Sequence, residues 1–401
     1  MVTGSNEVSV LKKLKIPIPK TVWTLGFVSL FMDLSSELIH SLLPVLLVVI
    51  LDAGALTVGV IEGIAEATAL LVKIFSGVIS DFFARRKLLI LLGYGMAALT
   101  KPLFPLAGSV ETVFAARFLD RIGKGIRGAP RDALIADVAP AAIRGACFGL
   151  RQSMDTVGAF LGPLLAILLL FLYNDDIKLV LWAAVVPAAI AVLLILVGVD
   201  EPIAHVKRET VRNPIKWAML RQFPGHYWWV VVFGSVFTLA RFSEAFLVLR
   251  AQQTGLAVTW IPLVMVVMSL AYAMSAYPAG IMSDGMNKKR LLVVGLALLI
   301  SADLVLAQGG SILILMLGVV LWGLHMGFSQ GILAAMIAEA TPPELKGTAY
   351  GLFNFICGLF MFAASVIAGW LWEAYGAEST FYCGAAFASS AAIMLSFHKK
   401  Q

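Results

Sequence analysis

The chain has 401 residues, of which 60% are hydrophobic and 13% charged, and its mean hydropathy is +0.92. A water-soluble domain is about half apolar and about a quarter charged, so a soluble globule of this size has no room for so many apolar residues. The composition predicts an integral membrane protein with several spans. The formal net charge is +6, but the basic residues collect in short stretches between apolar runs, a pattern of membrane orientation rather than nucleic-acid binding.

The three cysteines, Cys147, Cys357 and Cys383, form no C-x-x-C pair, so neither a disulfide framework nor a zinc site is predicted. We expect no cofactor and no metal. No G-x-x-x-x-G-K-(S/T) loop is present, which argues against ATP as the driving force within this chain. Four lysines precede the first apolar run without an A-x-A cleavage site, which favours a cytoplasmic tail over a removed signal peptide.

Apolar runs of about 20 residues predict twelve membrane-spanning helices and no strands. They lie near 22–51, 55–80, 86–107, 111–137, 144–172, 178–199, 226–251, 255–282, 289–308, 310–340, 346–374 and 378–397. The fourth carries so many charges that hydropathy alone would reject it. A polar segment at 200–225 separates six spans in residues 1–199 from six in 226–401.

Lysine and arginine lie mostly on one side of the predicted spans. This side has the N-terminal lysines, the triplet 85–87, the 200–225 segment, the triplet 288–290 and Lys399-Lys400. The other side has few basic residues and several acidic ones, among them Asp52, Asp175 and Glu373. This asymmetry predicts that both termini and the central segment face the cytoplasm.

Two polar stretches recur along the chain. The first pair begins at Gly77 and Gly280, which are 203 positions apart, and reads GVISDFFARRK and GIMSDGMNKKR. The second pair begins at Ala139 and Thr341, which are 202 positions apart, and reads APAAIRGACFGL and TPPELKGTAYGL. Two motifs at nearly one offset predict two six-helix halves in the same orientation, with a binding site between them.

The repeated loop resembles the signature of the major facilitator superfamily, G-x-x-x-D-(R/K)-x-G-(R/K)-(R/K). The matching residues are Gly77, Asp81, Arg85 and Arg86 in the first half and Gly280, Asp284, Lys288 and Lys289 in the second. Phe82 and Ala84 depart from it. The resemblance covers the whole chain in span number and orientation, and it implies an all-α fold of two six-helix bundles. In it, the loop residues control the conformational change, because an Asp at a helix end can pair with arginine across the bundles.

The fourth span carries a polar stripe. At about 100° per residue, its charged side chains fall within an arc of about 140°. They are Arg117, Asp120, Arg121, Lys124, Arg127, Arg131 and Asp132. Such a stripe must face water or the bundle interior. In the superfamily that the chain resembles, this span lines the central cavity, and Arg121 and Gly125 match its R-x-x-x-G motif, which makes Arg121, Lys124, Arg127 and Arg131 candidate substrate contacts.

The first two spans carry complementary charges. Asp33, Glu37 and His40 share one face of the first span, and Glu62, Glu66 and Lys73 lie in the second. One interpretation is that these groups neutralise the fourth span in buried ion pairs. The other is a proton site, because neighbouring carboxylates in a low dielectric exchange protons near neutral pH. Its candidates are Asp33 and Glu37, together with Asp155 of the fifth span.

The fifth span contains Gly158, Gly162 and Pro163 in the order G-x-x-x-G-P. Small residues at this spacing allow close helix packing, which is a sufficient explanation by itself. The element also resembles a motif of superfamily antiporters, although Ala166 stands where a glycine is usual. This resemblance favours export, and it adds the three residues to the candidates for conformational gating.

The second half is less charged. Arg241 and Glu244 in the seventh span form either a local pair or substrate contacts. His325 in the tenth span is a candidate substrate contact, but a lone histidine is more often structural. The asymmetry predicts proton handling in the first half and recognition of substrate shape in the second.

These observations predict a proton-coupled secondary transporter that works by alternating access. We expect a proton antiporter that exports a small amphipathic, zwitterionic or anionic molecule from a bacterial-type cell. The alternative is a proton symporter or uniporter that imports a small organic anion. The expected partners are a small-molecule substrate, protons and the lipid bilayer of the plasma membrane, with no nucleic acid, and the expected state is a monomer. A membrane-embedded enzyme is disfavoured because the five histidines are dispersed without an H-E-x-x-H motif.

Overall fold

A computed structural model describes residues 17–83, 85–200, 223–341 and 346–397. Most of the predicted 200–225 linker and part of the second repeat at 342–345 lie outside the described residues, as do the side chains of Asp81 and Asp284. The described backbone is helical, with turns and no strand. The predicted all-α class is confirmed.

In the described part of the chain, twelve helical segments cross the expected membrane region, and four of them consist of two pieces. In chain order they are α1 (Lys20–Val45, continued by a π-helix at Leu46–Ile50), α2 (Ala55–Phe83), α3 (Arg86–Thr100, with a turn at Leu103–Leu106), α4 (Val110–Val138), α5 (Arg144–Leu172), α6a and α6b (Ile177–Trp182 and Val185–Gly198), α7a and α7b (Gly225–Leu239 and Ala245–Gln253), α8 (Leu263–Gly285), α9 (Lys288–Gln308), α10 (Ile312–Glu339), α11 (Lys346–Tyr375) and α12 (Ala377–Phe397).

Among the described residues, ten of these segments are long and apolar enough to cross a bilayer by themselves. The exceptions are α4, which is too charged, and α7, which is interrupted. The sequence predicted one continuous helix over 226–251, but the backbone leaves the helix at 240–244. Two serines bond to the backbone there: the N–H of Ser243 donates to Ser365 Oγ at 3.3 Å, and Ser243 Oγ accepts from the N–H of Ala245 at 3.3 Å. An interrupted helix is tolerated at membrane depth when neighbouring groups bond to its backbone.

We call the two ends of the molecule the basic end, where Arg86 and Lys288 begin α3 and α9, and the acidic end, where α1 finishes at Ile50. One apolar core joins both halves towards the acidic end and includes Leu42 of α1 with Phe246 of α7b. Towards the basic end the core divides into two separate clusters, one in each half. The buried apolar clusters of the two halves are therefore joined at the acidic end and distinct at the basic end. α2 and α11 stay in contact between these ends, where the ideal Cβ position of Gly351 lies 3.5 Å from Ile74 Cγ2.

Polar contacts between the halves also lie at the acidic end. The N–H of Leu56, in the first turn of α2, donates to Glu373 Oε1 of α11 at 2.8 Å. Thr259 Oγ1 donates to Asp175 Oδ1 at 2.5 Å. One turn deeper, the Cα of Gly59 packs against the carbonyl oxygen of Ser365 so closely that a Cβ there would overlap it. These contacts close the acidic end.

At the basic end, the two halves make the same contacts. Arg86 Nη1 lies 2.6 Å from Asp137 Oδ2, and Lys288 forms the corresponding ion pair with Glu339, at positions 202 residues later. Lys87 Nζ donates to the carbonyl of Leu196 at 3.3 Å, and Lys289 Nζ donates to the carbonyl of Ser396 at 3.3 Å. The duplication seen in the sequence is thus repeated in the packing of α3 on α4 and of α9 on α10.

Candidate functional site

Close packing of α1 on α5 positions the carboxyl groups of the site. Gly158 lies against the carbonyl oxygen of Leu30, and a Cβ on Gly162 would lie 2.7 Å from the carbonyl oxygen of Leu34 and 3.1 Å from Glu37 Cβ. Only glycine lets the two backbones approach so closely. The buried Pro163 follows in the same helix. These residues therefore have a packing role, while their gating role stays a prediction.

This packing brings two predicted proton-site residues together. The side chains of Asp33 and Asp155 are within hydrogen-bonding range of each other. Asp155 Oδ1 also lies 3.5 Å from Arg151 Nη1 and 4.0 Å from Arg131 Nη1. Two carboxyl groups can share a hydrogen bond only when one of them carries a proton, because an ionised carboxylate has no donor. The arrangement is chemically suited to hold one exchangeable proton.

Two lysines line the same space without a counter-ion. Lys124 of α4 and Lys73 of α2 are both exposed, and neither forms an ion pair with a described carboxylate. Lys124 interacts electrostatically with Asp33, Glu37 and Asp155 on α1 and α5, which places its ammonium group on the inner face of the first half. Its exposure is therefore to a water-accessible cleft between the halves, because a lysine facing lipid at this depth would be very costly.

Most other charges of the first half neutralise one another across helices. Arg117 Nη2 lies 2.7 Å from Glu62 Oε2, and Arg121 Nη1 lies 3.3 Å from Glu66 Oε1. Lys101, which follows α3, lies 2.9 Å from Asp120 Oδ1 and donates to Ser36 Oγ at 3.0 Å. The interpretation of the charges on the second and fourth spans as ion pairs is confirmed for Arg117 with Glu62 and Arg121 with Glu66, while the Lys101–Asp120 pair was not predicted. Arg121 is held by carboxylates, so its role as a substrate contact stays a prediction.

Two arginines of the polar stripe are held against α3. The guanidinium of Arg127 lies 4.4 Å from the ring centre of Tyr94 and is buried. Arg131 donates to Tyr94 Oη at 3.2 Å, to Ser29 Oγ at 3.1 Å and to Asp132 Oδ1 at 3.2 Å. Neither guanidinium is freely available in this conformation. Their predicted contact with substrate is untested.

The second half contributes two charged groups at the interruption of α7. Arg241 lies inside the interruption, 5.8 Å from the ring centre of Phe237, and its Nε has no hydrogen-bond partner among the described groups. Glu244 occupies the N-cap position of α7b, without a capping hydrogen bond from its side chain, and interacts electrostatically with His40 of the first half. The interruption therefore brings both residues towards the boundary between the halves, where the sequence analysis placed a substrate site.

His325 is not brought to this boundary. Its side chain is fully buried in the second half, with Nδ1 3.1 Å from the carbonyl oxygen of Gly295 and the rings of Phe237 and Trp322 nearby. This environment explains the histidine as a packed core residue. A substrate contact would require a rearrangement of α10.

The predicted gating residues of the repeated loop lie at the basic end. Gly77 of α2 has Ala129 of α4 3.5 Å from its ideal Cβ position, Gly280 of α8 is exposed, and Arg85 precedes α3 in an exposed position. Arg86 and Lys288 form the ion pairs with Asp137 and Glu339. Because the side chains of Asp81 and Asp284 are outside the described residues, the predicted pairing across the bundles stays a prediction.

The sequence analysis did not assign an individual role to two residues of this site, His40 and Lys101. His40 lies between Glu37 and Glu62, with Nδ1 3.3 Å from Glu37 Oε2 and Nε2 3.5 Å from Glu62 Oε2. Lys101 was not singled out, although a lysine at the end of an apolar run is a visible signal. Which acidic residue each cation contacts depends on how three helices are arranged, and helical periodicity does not supply that information.

In the described residues, twelve helical segments form two similar halves that are packed together at one end. Charged side chains line the cleft between the halves. This architecture is that of a membrane transporter. The model of the Major Facilitator Superfamily matches residues 25–256 and 229–401. The chain belongs to this superfamily, as the resemblance in its loops predicted. It is a transporter and not an enzyme.

Relatives and solved structures agree with this assignment. An uncharacterised MFS-type transporter of Methanocaldococcus jannaschii is 32% identical over 387 residues, which cover 95% of each chain. A mutant form of the nucleoside transporter NupG has a similar structure with a TM-score of 0.80 at 13% identity, covering 94% of this chain and 99% of that one. A bacterial homologue of the human lysosomal transporter Spinster, in an inward-facing and unoccupied conformation, gives 0.69 at 14% identity over 94% and 95% of the chains.

Proposed function

We propose that the protein is a proton-coupled secondary transporter in which Asp33 and Asp155 form the proton site. The observation that carries this proposal is the pair of carboxyl groups within hydrogen-bonding range of each other, next to Lys124. An approaching cation stabilises the ionised form of both carboxyl groups, and separating the helices removes the repulsion between the two carboxylates. Either change releases the shared proton. Movement of α1 against α5 would thus load and release a proton.

The closed acidic end supports alternating access. With the orientation predicted by the lysines and arginines, this structure is open towards the cytoplasm and closed towards the outside. Opening to the outside must break the Leu56–Glu373 and Thr259–Asp175 contacts. The two apolar clusters that are distinct at the basic end must then approach each other. The gating residues predicted in the repeated loop lie at that end.

We propose proton antiport, with export of the substrate, as the first of two candidate modes of coupling. In an antiporter, proton and substrate bind in competition, so a substrate with a cationic or zwitterionic group would displace the proton from Asp33 and Asp155. The G-x-x-x-G-P element of α5, which resembles that of superfamily antiporters, supports this coupling. It keeps Asp155 on a helix that packs directly on α1, so that substrate and proton would act on the same pair of helices.

Lys73 and Lys124, which have no ion-pair partner among the described carboxylates, favour a second candidate, the symport of protons with a small organic anion. An anion in the cleft would bind these ammonium groups more tightly once a proton has neutralised a nearby carboxylate. Proton and anion would then bind together instead of competing, and both would move in the same direction.

Reconstitution in liposomes with a trapped pH-sensitive dye tests both couplings. The panel contains organic anions, zwitterions and lipophilic cations, and the variants are Asp33→Asn and Asp155→Asn. We expect one class of compound to evoke proton movement. We expect either variant to lower the rate of this movement by about a hundredfold, which is the loss expected when a proton-transfer group is removed. Protons moving opposite to the substrate indicate antiport, and protons moving with it indicate symport.

Glu111→Gln is the matched control. Glu111 lies in the first turn of α4 at the acidic end, away from the cleft, so its replacement should leave proton movement unchanged. Substrate transport with no proton movement in the wild type would contradict the proposal, as would full coupling in both aspartate variants.

A further inference from the structure

We propose that His40 is a proton-transfer residue that connects Glu37, on the cleft side, with Glu62, which is buried between α2 and α4. The inference extends the proposed function, because it adds a path between the Asp33–Asp155 pair and the acidic end of the molecule. It rests on the placement of three titratable side chains on two helices, which neither helix would reveal by itself.

Both nitrogens of the His40 ring face a carboxylate oxygen. Nδ1 lies 3.3 Å from Glu37 Oε2, and Nε2 lies 3.5 Å from Glu62 Oε2. A neutral imidazole has one N–H, so it can donate to only one of the two carboxylates. A ring that donates to both must carry a hydrogen on each nitrogen. The geometry is that of an imidazole placed to accept a proton on one side and release one on the other.

The three groups form a gradient of burial. The side chain of Glu37 is 21% exposed, that of His40 is 8% exposed and that of Glu62 is 1% exposed. Glu37 is one turn from Asp33 on α1, and His40 is nearly one turn further towards the acidic end. The order of the groups therefore leads away from the cleft, towards the end that is closed in this conformation.

The charged groups around His40 come from four helices. Glu37 is on its own helix, Glu62 is on α2, Arg117 of α4 lies 2.7 Å from Glu62 Oε2, and Glu244 of α7b interacts with the ring electrostatically. With a charged ring, the group of Glu37, His40, Glu62 and Arg117 is neutral. Glu244 belongs to the other half of the molecule, so its distance from the ring must change whenever the halves rotate against each other.

The transfer conserves protons and charge. The charged ring gives its Nδ1 proton to the Glu37 carboxylate and becomes neutral, with its one hydrogen on Nε2. A protonated Glu62 can then recharge the ring only after Nε2 has lost this hydrogen, because a nitrogen that carries a hydrogen cannot accept another. Glu62 Oε1 has no hydrogen-bond partner among the described groups, so it is free to receive the incoming proton. The Nε2 and Nδ1 hydrogens must exchange roles before the next transfer, as in other histidine proton shuttles.

The protonation state of the ring can be measured without a substrate. Protein labelled with ¹⁵N-histidine and reconstituted in lipid is studied by solid-state NMR at neutral pH, and the His40 signals are those absent from His40→Gln. We expect both ring nitrogens to be protonated and both signals to shift in Glu62→Gln and in Glu37→Gln. A neutral ring whose signals do not respond to either substitution would overturn the proposal, whatever the outcome for the proposed function.

Transport then separates proton transfer from structural support. In His40→Gln liposomes we expect proton movement evoked by an active compound of the panel to fall by about a hundredfold. Exchange of the same compound across the membrane at equal pH should stay within about twofold, because exchange needs no net proton transfer. Equal losses in both assays would overturn the proposal and indicate a structural role. His226→Gln, at the exposed start of α7a, is the histidine control.

Discussion

The two halves of this transporter share their contacts at the basic end and differ inside the membrane. Arg86 with Asp137 and Lys288 with Glu339 occupy corresponding positions, 202 residues apart. Deeper in α3 and α9, Lys101 pairs with Asp120, whereas the corresponding residues are Asp303 and Trp322. Asp303 is fully buried, and neither of its carboxylate oxygens has a hydrogen-bond partner among the described groups. The two halves therefore share their ion pairs at the basic end but differ in the charged residues buried within the membrane.

Aromatic packing in the second half replaces the ion pairs of the first. The ring centre of Phe242, at the position that corresponds to His40, lies 5.2 Å from that of Trp322, 5.5 Å from that of Phe246 and 5.6 Å from that of Phe381. Aromatic rings at such distances attract each other and fill volume without needing counter-ions. Among the described residues, the buried ion pairs are thus concentrated in the first half and the aromatic contacts in the second.

The comparison predicts the largest loss of stability for a broken ion pair in the first half. In Lys101→Met, Asp120 loses its closest cation, so we expect the free energy of unfolding to fall by about 3–5 kcal/mol. Denaturant unfolding in detergent measures this change. The double variant Lys101→Met/Asp120→Leu should recover most of the loss, because no buried charge is left unpaired. A single variant as stable as the wild type would show that the pair contributes nothing.

A smaller loss is expected where α1 packs on α5. Gly158→Ala places a Cβ against the carbonyl oxygen of Leu30, and overpacking of this kind costs about 1–3 kcal/mol. Gly149→Ala in the same helix is the matched control, because nothing lies within 4 Å of its Cβ position. A helical glycine in open space gains up to about 1 kcal/mol when it becomes alanine. Unfolding experiments on both variants measure these changes. Equal changes in the free energy of unfolding at the two positions would contradict the close approach of α1 and α5.

Removing the unpaired carboxyl group of the second half should stabilise the protein. Asp303→Val replaces it by an apolar side chain of similar shape, and removing an unsatisfied buried polar group gains about 1–2 kcal/mol. Thermal unfolding measures the gain, and the liposome assay measures coupling in the same preparation. Loss of proton movement in this variant would break the comparison, because it would show that the second half also handles protons.

The smallest effect concerns the corresponding pairs at the basic end. Arg86→Gln and Lys288→Gln should each lower stability by less than about 1 kcal/mol, because Asp137 and Glu339 are exposed to water. High salt should reduce both effects, as expected for screened surface charges. Unfolding curves at low and high salt test whether the two variants respond alike, and opposite responses would show that the two loops are not equivalent.

Much of the fold followed from the sequence, because apolar runs of about 20 residues have few alternatives to a membrane helix. The fourth span was found through its stripe of charges, although it fails a test of hydropathy. The interruption of α7 at 240–244 was not found, because Ser243 and Ser365, which bond to each other there, are 122 residues apart in the chain.

The sequence by itself determined the class of protein, its two halves and the residue types that carry charge into the membrane, since these depend on composition, period and repetition along one chain. Only the tertiary structure decided which charges are partners. Glu62 is paired with Arg117 and Glu66 with Arg121, while Asp33 and Asp155 face each other and Lys124 has no ion-pair partner among the described carboxylates. The physical reason is that the effect of a buried charge depends on its distance to groups on other helices, and those distances are fixed by helix packing.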